Sequence, residues 1–175
     1  MSYSNTEPVN KNFLSPLGFK FVIKKTPHVN YFVQSVNLPD VELGETFIPT
    51  PFVRTPIAGD HIEYGNLTFT FKVDEAMKNY LELFNWIKAI GFPNNFEEHK
   101  AVDPKFVPTY TGDGIYSDVS LLVLSSAMNP IHEITFIEAF PVSLTDFSFD
   151  SRLQDVDYID ATATFKFRTF NITSL

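Results

Sequence analysis

The chain has 175 residues, no cysteine, 44% hydrophobic residues and a formal net charge of -8 at pH 7. Without cysteine it has no disulfides, thiolate metal sites or cysteine nucleophile, so packing within one ordinary-sized domain must hold it together. Nineteen phenylalanines and seven tyrosines against three methionines favour an aromatic β-sheet core over a helix bundle, and the acidic balance disfavours a protein that grips nucleic-acid phosphates.

The first twelve residues are polar and show no period, so residues 1–12 are expected to form an arm that orders only against a partner. The folded domain is expected to span residues 13–175. The start lacks the basic and apolar regions of a signal peptide, and no window is apolar enough to cross a bilayer. We therefore expect a soluble protein with no membrane partner.

Alternating apolar residues predict a strand at Phe19–Lys24, and a second β-rich stretch follows at Val29–Val36. The Thr-Pro-His turn between them predicts a hairpin. The dense prolines and glycines of residues 39–65 predict a long loop instead. Seven apolar residues of this loop need a covering partner: Val41, Leu43, Phe47, Ile48, Phe52, Val53 and Ile57.

Strict alternation makes Leu67–Val73 the clearest strand of the chain. Asp74 then stands at an N-cap position, and apolar residues at three- and four-residue spacing predict an amphipathic helix from Glu75 to Ile90. Residues 92–117 carry three prolines and a Gly-Asp-Gly turn, so they predict a second long connection.

The last third of the chain is predicted to be entirely β. Val119–Leu124 and Ile131–Phe140 should form a hairpin, and Pro141 should end its second strand. A short strand is predicted at Leu144–Phe149 and a last strand at Tyr158–Ile172, with a bulge near Arg168. The predicted fold class is mainly β: an antiparallel β-sandwich or barrel-like protomer with one packed α-helix.

Residue patterns for chemistry are missing. The four histidines lie in unrelated segments, and Asp155, Asp157 and Asp160 lack the glycine and glutamate of a calcium loop. The sequence contains neither a nucleophile elbow nor a phosphate-binding loop. We therefore predict no catalytic, cofactor-binding or metal-binding residues and no enzyme activity. The alternative of another class is a carbohydrate-binding or hydrolytic β-sandwich with paired carboxylates.

Three groups of residues carry a family resemblance. The first is the string Tyr31–Pro39, which ends in a Leu-Pro step. The second is Ala58-Gly59-Asp60, then the clearest strand, Asp74-Glu75 and a helix whose Phe84 and Trp86 stand one residue closer than in the family. The third comprises Phe140–Leu144, Phe147–Ser151 and Ala163–Phe167. In this order they resemble the tail tube proteins of contractile-tailed bacteriophages.

The resemblance implies a protomer that closes into hexameric rings, which stack into the inner tube through which DNA is delivered. It implies as partners further copies of the chain, sheath, tape-measure and baseplate proteins, and DNA as transient cargo. The location implied is the virion tail, after synthesis in the host cytoplasm. A baseplate ring that initiates the tube and the tube protein of a secretion system share the same architecture and remain open.

In such a tube, the loop 39–65 is expected to make the contact between stacked rings. A polar strand face is expected to line the lumen, and the candidates are Thr68, Thr70, Lys72, Thr162, Thr164 and Lys166. Six copies, each of charge -8, would carry about -48 per ring. If much of that charge faces the lumen, DNA would pass without sticking; the alternative is an acidic outer surface that keeps the protein soluble.

Overall fold

The computed structural model describes residues 11–91, 115–150, 152 and 158–175. In this part of the chain, nine strands and two helices form a mainly antiparallel β fold. They are β1 (Phe19–Ile23), α1 (Pro27–Phe32), β2 (Val33–Asn37), β3 (Val41–Pro49), β4 (Arg54–Tyr64), β5 (Leu67–Lys72), α2 (Lys78–Gly91), β6 (Ser117–Leu124), β7 (Pro130–Leu144), β8 (Asp160–Lys166) and β9 (Thr169–Ser174).

The body is one antiparallel sheet folded into two layers, with the strand order β1-β6-β7-β8-β5-β2 and β9 also paired to β7. The first layer contains β1, β6, the first half of β7 and β9. The second layer contains the last residues of β7 with β8, β5 and β2. The predicted antiparallel sandwich-like fold class is therefore confirmed.

Strand β7 turns the corner between the two layers. Residues 132–137 pair with β9, whereas residues 140–144 pair with β8. Glu138 at the corner has a φ of 56°, a left-handed conformation typical of bends and bulges. The prediction that Pro141 ends this strand is wrong, because the last part of β7 forms the edge of the second layer, where a missing N–H is tolerated.

The core lies between the layers and is mostly aromatic. Phe21 of the first layer contacts Phe69 of the second, with ring centroids 4.8 Å apart, and Phe69 also contacts Phe165 at 5.3 Å. Trp86 of α2 meets Phe165 at 5.5 Å and donates a hydrogen bond of 2.9 Å to the Ile115 carbonyl. Trp86 is 2% exposed, so it is a packing residue, as predicted, and not a stacking platform.

Helix α2 confirms the predicted amphipathic helix, but it begins at Lys78 and not at Glu75. Met77 has a φ of 55°, which is incompatible with a helix that continues from Glu75. The Asp74 carboxylate instead accepts a hydrogen bond from the Asn79 N–H at 3.1 Å and closes the turn before the helix.

The predicted hairpin of the first two strands is wrong, because residues 27–32 form the short helix α1. Pro27 suits the first position of a helix, and Val29 is fully buried. The Asn30 side chain binds both the N–H and the carbonyl of Ile23, at 2.7 and 3.1 Å. As a result, β1 pairs with β6 and β2 pairs with β5.

Two further predictions near the C-terminus need correction. The short strand predicted at Leu144–Phe149 does not form, because regular pairing ends at Leu144 and Phe147 packs on Tyr80 with centroids 5.0 Å apart. The predicted last strand is two strands, β8 and β9, which pair with different halves of β7. The predicted β6–β7 hairpin is confirmed.

The predicted arm, apart from Lys11 and Asn12, and most of the predicted connection 92–117 lie outside the described residues. No helix in the described part of the chain is long and apolar enough to cross a membrane.

Candidate assembly surfaces

Residues 41–64 form an antiparallel hairpin of β3 and β4, so the predicted loop at 39–65 is wrong. Every residue of the hairpin is exposed except Gly59 and Tyr64, which are half-buried. Pro49 and Pro56 are tolerated because both strands of a two-stranded ribbon are edge strands. We call this element the hairpin below.

The pairing register divides the seven predicted contact residues between two faces and a tip. Val41 is paired with Tyr64, Leu43 with Ile62 and Phe47 with Pro56, and directly paired residues share a face. Ile48 and Ile57 lie on the opposite face, and Phe52 and Val53 lie in the turn. Glu45, paired with Ala58, lies on the same face between Leu43 and Phe47. The large apolar residues that share this face are Val41, Leu43 and Phe47, with Ile62, which the sequence analysis missed. We call these four residues the apolar face of the hairpin.

The hairpin is strongly acidic. Residues 40–65 carry five carboxylates and one arginine, a net charge of -4. Glu42 is paired directly with Glu63 on the face opposite the apolar face, and like charges in this arrangement destabilise a hairpin. The stability of the element must therefore come from other contacts.

Tyr64 fixes the root of the hairpin to the body. Its ring lies 5.7 Å from Phe167 and 5.4 Å from Phe170, and both of these rings pack on the buried Phe136. The Tyr64 hydroxyl is 3.3 Å from the Thr169 hydroxyl. The Gly65 N–H also donates to the Asp40 carbonyl at 3.0 Å, which ties the two ends of the element together. The hairpin is thus anchored at its base.

A bulge in the middle of the hairpin depends on two glycines. The register shifts between Leu43 and Glu45, where Gly44 faces residues 59–61. A Cβ atom on Gly59 would lie 2.4 Å from the Gly44 carbonyl oxygen, too close for any side chain. The Ala-Gly-Asp string at 58–60 therefore contains a backbone contact that only glycine permits.

The six predicted lumen residues all lie on the outer face of the second layer. Thr68 pairs with Thr164 and Thr70 with Thr162, and the two hydroxyl groups of the latter pair are 3.0 Å apart. The same rows continue into residues that the sequence analysis missed because strand pairing was not known: Ser35, Asn37, Ser143 and Thr145. We call this surface the hydroxyl face.

The charges on the hydroxyl face nearly cancel. The Lys72 ammonium lies 3.4 Å from the Asp160 carboxylate and 4.6 Å from the centre of the Tyr158 ring. Lys166 is exposed at the end of β8. Among the described residues of β2, β5, β8 and the end of β7, the ionisable groups on this face are two lysines and one aspartate. Uncharged hydroxyl groups dominate it.

Within the described residues, no three histidine, aspartate or glutamate side chains come together as metal ligands.

A sequence profile of the phage tail tube protein family matches residues 6–173 of the chain. The chain belongs to this family. The tail tube family is a family of structural proteins of the phage tail, so the protein is a structural protein and not an enzyme, and the hydrolytic alternative is set aside. No curated protein matches the chain significantly.

Solved structures show where the same fold occurs. A chain of the tube-terminating cap of the anti-feeding prophage matches over 100% of both chains with a TM-score of 0.64 and 16% identity. A chain of the sheath–tube complex of the extracellular contractile injection system PVC matches with a TM-score of 0.63 and 17% identity, over 99% of this chain and 100% of that chain. A chain of the anti-feeding prophage baseplate matches with a TM-score of 0.59 and 12% identity, over 89% and 90%.

Proposed function

We propose that this tail tube family protein forms hexameric rings that stack into the inner tube of a contractile tail, through which DNA is delivered. The observation that carries this function is the hairpin, an anchored element with its apolar face exposed. Val41, Leu43 and Phe47 are each about half exposed, at 54%, 55% and 48%. Apolar residues grouped on a projecting element mark a contact with another chain.

Ring closure gives partners to the exposed sheet edges. In the second layer, the described edges are β2 on one side and the end of β7 on the other. Unpaired edge strands promote uncontrolled aggregation unless they are covered. A closed ring in which each second layer continues into the next leaves no edge of that layer free. The hydroxyl face would then line the lumen.

A hydroxyl-lined lumen suits a passive conduit. Tight binding of DNA requires lysines and arginines that neutralise phosphates. The hydroxyl face offers two lysines, one of them paired with Asp160. DNA would therefore meet a surface that is neither strongly attractive nor strongly repulsive, and the acidic charge of the ring would lie mainly on its other surfaces.

The assembled tube would have the sheath, tape-measure and baseplate proteins as partners, within the virion tail, after synthesis in the host cytoplasm. The same fold occurs in a sheath–tube complex and in a baseplate, which supports sheath and baseplate proteins as partners. A baseplate ring that initiates the tube is the second candidate function, favoured by the same baseplate likeness.

Negative-stain electron microscopy of the purified chain over a range of concentrations tests the proposal. We expect six-fold rings with a central hole that stack into tubes as concentration rises. Rings that never stack would support the tube-initiating ring instead. A monomer at every concentration, with and without added baseplate proteins as a template, would contradict both.

A further inference from the structure

Two neighbouring segments of the chain carry opposite charge. Residues 11–39 contain four lysines and no carboxylate, a net charge of +4, whereas residues 40–65 have a net charge of -4. Part of the positive charge is used within the body, since Lys24 pairs with Asp118 at 3.0 Å. Lys20 is exposed on the outer face of β1. One chain thus carries both an acidic hairpin and a basic segment that includes β1.

The start of the basic segment carries three exposed apolar side chains. Phe13 is 98% exposed, Leu14 64% and Leu17 85%, and they precede β1 directly. Because these side chains and the apolar face of the hairpin are all exposed, the two surfaces do not cover each other within one chain. Within the described part of the chain, neither group of apolar side chains is covered, and exposed apolar groups of this kind mark contacts with another chain.

Strand β1 adds an open sheet edge to this surface. Among the strands that the structure describes, β1 pairs with β6 alone. The Asn30 side chain occupies that edge at Ile23, where it binds both main-chain groups. The remaining part, Phe19–Phe21, has no partner strand among the described residues. An edge that is blocked at one end and open at the other is suited to main-chain pairing with another chain over a short length.

We propose that the apolar face of the hairpin of one copy docks on residues 11–20 and the open edge of β1 of a copy in the adjacent ring. Opposite charge and matching apolar residues commit the occupant to a second copy of this chain. The contact is head-to-tail, so it repeats from ring to ring without limit. This inference rests on the proposed function and names the two surfaces that stacking would use.

Cross-linking tests the contact directly, because the natural chain has no cysteine. Phe47→Cys and Leu17→Cys variants are purified separately, mixed, assembled and treated with a short bis-maleimide. We expect a cross-linked species of twice the 19.9 kDa chain mass in the mixture and not in either variant alone.

The matched control replaces Leu17→Cys by Ile172→Cys. Ile172 is also apolar and 59% exposed, but it lies on β9 at the opposite edge of the same layer. Cross-linking through Ile172→Cys, or none through Leu17→Cys while tubes form, would overturn the inference and leave the proposed function standing. If the unsubstituted chain forms no rings or tubes, the proposed function itself fails.

Charge reversal gives an independent test. Glu45→Lys reverses the charge that the apolar face presents to a partner, because Glu45 shares the face of Leu43 and Phe47 and pairs with Ala58. The Glu42 and Glu63 pair on the opposite face stays unchanged. We expect tube yield to fall about tenfold, and to recover when Lys11→Glu/Lys20→Glu is added to the same chain. Lys78→Glu on α2 is the control that should not restore assembly. Recovery with Lys78→Glu, or no recovery with the combined variant, would contradict the docking surface.

Discussion

Asn79 joins helix α2 to the sheet through hydrogen bonds. It is fully buried, and its side-chain amide donates to the Lys72 carbonyl at the end of β5 at 2.7 Å. Its side-chain oxygen accepts from the Tyr80 N–H at 2.8 Å and from the Asp74 N–H at 3.3 Å. A buried polar side chain with every group bonded specifies one position of the helix.

We expect Asn79→Asp to lower the free energy of unfolding by about 2–3 kcal/mol at pH 7, because the Lys72 carbonyl loses its donor and faces a buried carboxylate. Urea unfolding measures the change. The loss should shrink at acid pH, since a protonated carboxyl can donate to that carbonyl.

The control for this substitution is Asn85→Asp, an exposed position on the same helix, which should change stability by less than about 0.5 kcal/mol. An equal loss for both variants, or a loss at Asn79 that does not depend on pH, would show that the hydrogen bonds of Asn79 are not the cause.

Sequence alternation predicted the residues of the two central strands well. Leu67, Phe69 and Phe71 are buried as expected, and so is Phe165. Period-two patterns are reliable here because one side of each strand faces the core and the other faces outward. Asn79 carries no such signal, because its role depends on a carbonyl of a different element.

At the scale of elements, the hairpin shows why proline and glycine can mislead. Four prolines and three glycines in residues 39–65 exclude a central strand, but they do not exclude an edge strand. A two-stranded ribbon has no central strand. The strand predicted in place of helix α1 was wrong for a different reason. Its residues favour β-structure by composition, but the burial of Val29 and the hydrogen bonds of Asn30 override that preference.

Replacing residues 42–63 by Asn-Gly should remove assembly and keep the body folded. Val41 and Tyr64 are directly paired, so a two-residue turn can close the shortened hairpin. We expect a change in melting temperature of only a few degrees, measured by circular dichroism, because the deleted residues are nearly all exposed. Normal tubes from this variant would contradict the role of the hairpin in stacking.

Gly59→Ala is expected to damage the hairpin without unfolding the body. The new Cβ would lie 2.4 Å from the Gly44 carbonyl oxygen, so the bulge must open. Tube yield should fall, whereas the urea midpoint should stay near that of the unsubstituted chain. Ala58→Gly, one residue away, is the control and should still assemble; a large drop in the urea midpoint for Gly59→Ala would mean that the bulge supports the body as well.

At the scale of the whole molecule, the sequence predicted the fold class and the family but not the strand order. Composition and alternation indicate a β-sandwich with a packed helix, and the order of the strings indicates the family. Pairing of β1 with β6 places Phe19 opposite Val123. The residues around Phe19 in the sequence do not indicate which distant strand it will pair with. The division of the hairpin residues into two faces also required the register.

Thr70→Lys/Thr164→Lys places new cations on the hydroxyl face, where both side chains are half-buried and polar. If this face lines the lumen, assembled particles should form normally and deliver DNA more slowly, because twelve added cations per ring of six would hold phosphates. Delivery kinetics measured by dye release from infecting particles test this.

The conservative control for the lumen variant is Thr70→Ser/Thr164→Ser, which keeps both hydroxyl groups. Unchanged delivery by the lysine variant would place the lumen on another face. Slower delivery by the serine variant as well would point to a packing defect and not to charge.

The strand pairing also fixes the order in which these surfaces arise during synthesis. The hairpin closes locally, from Pro49 paired with Arg54, and such ribbons form within about 1–10 μs. Strand β1 must wait for β6, roughly a hundred residues later, which takes several seconds at about 5–20 residues per second. The anchor of the hairpin comes later still, because the Phe167 and Phe170 rings that hold Tyr64 are among the last residues synthesised. If copies stack as proposed, each would therefore gain both contact surfaces only after its own last strands have folded.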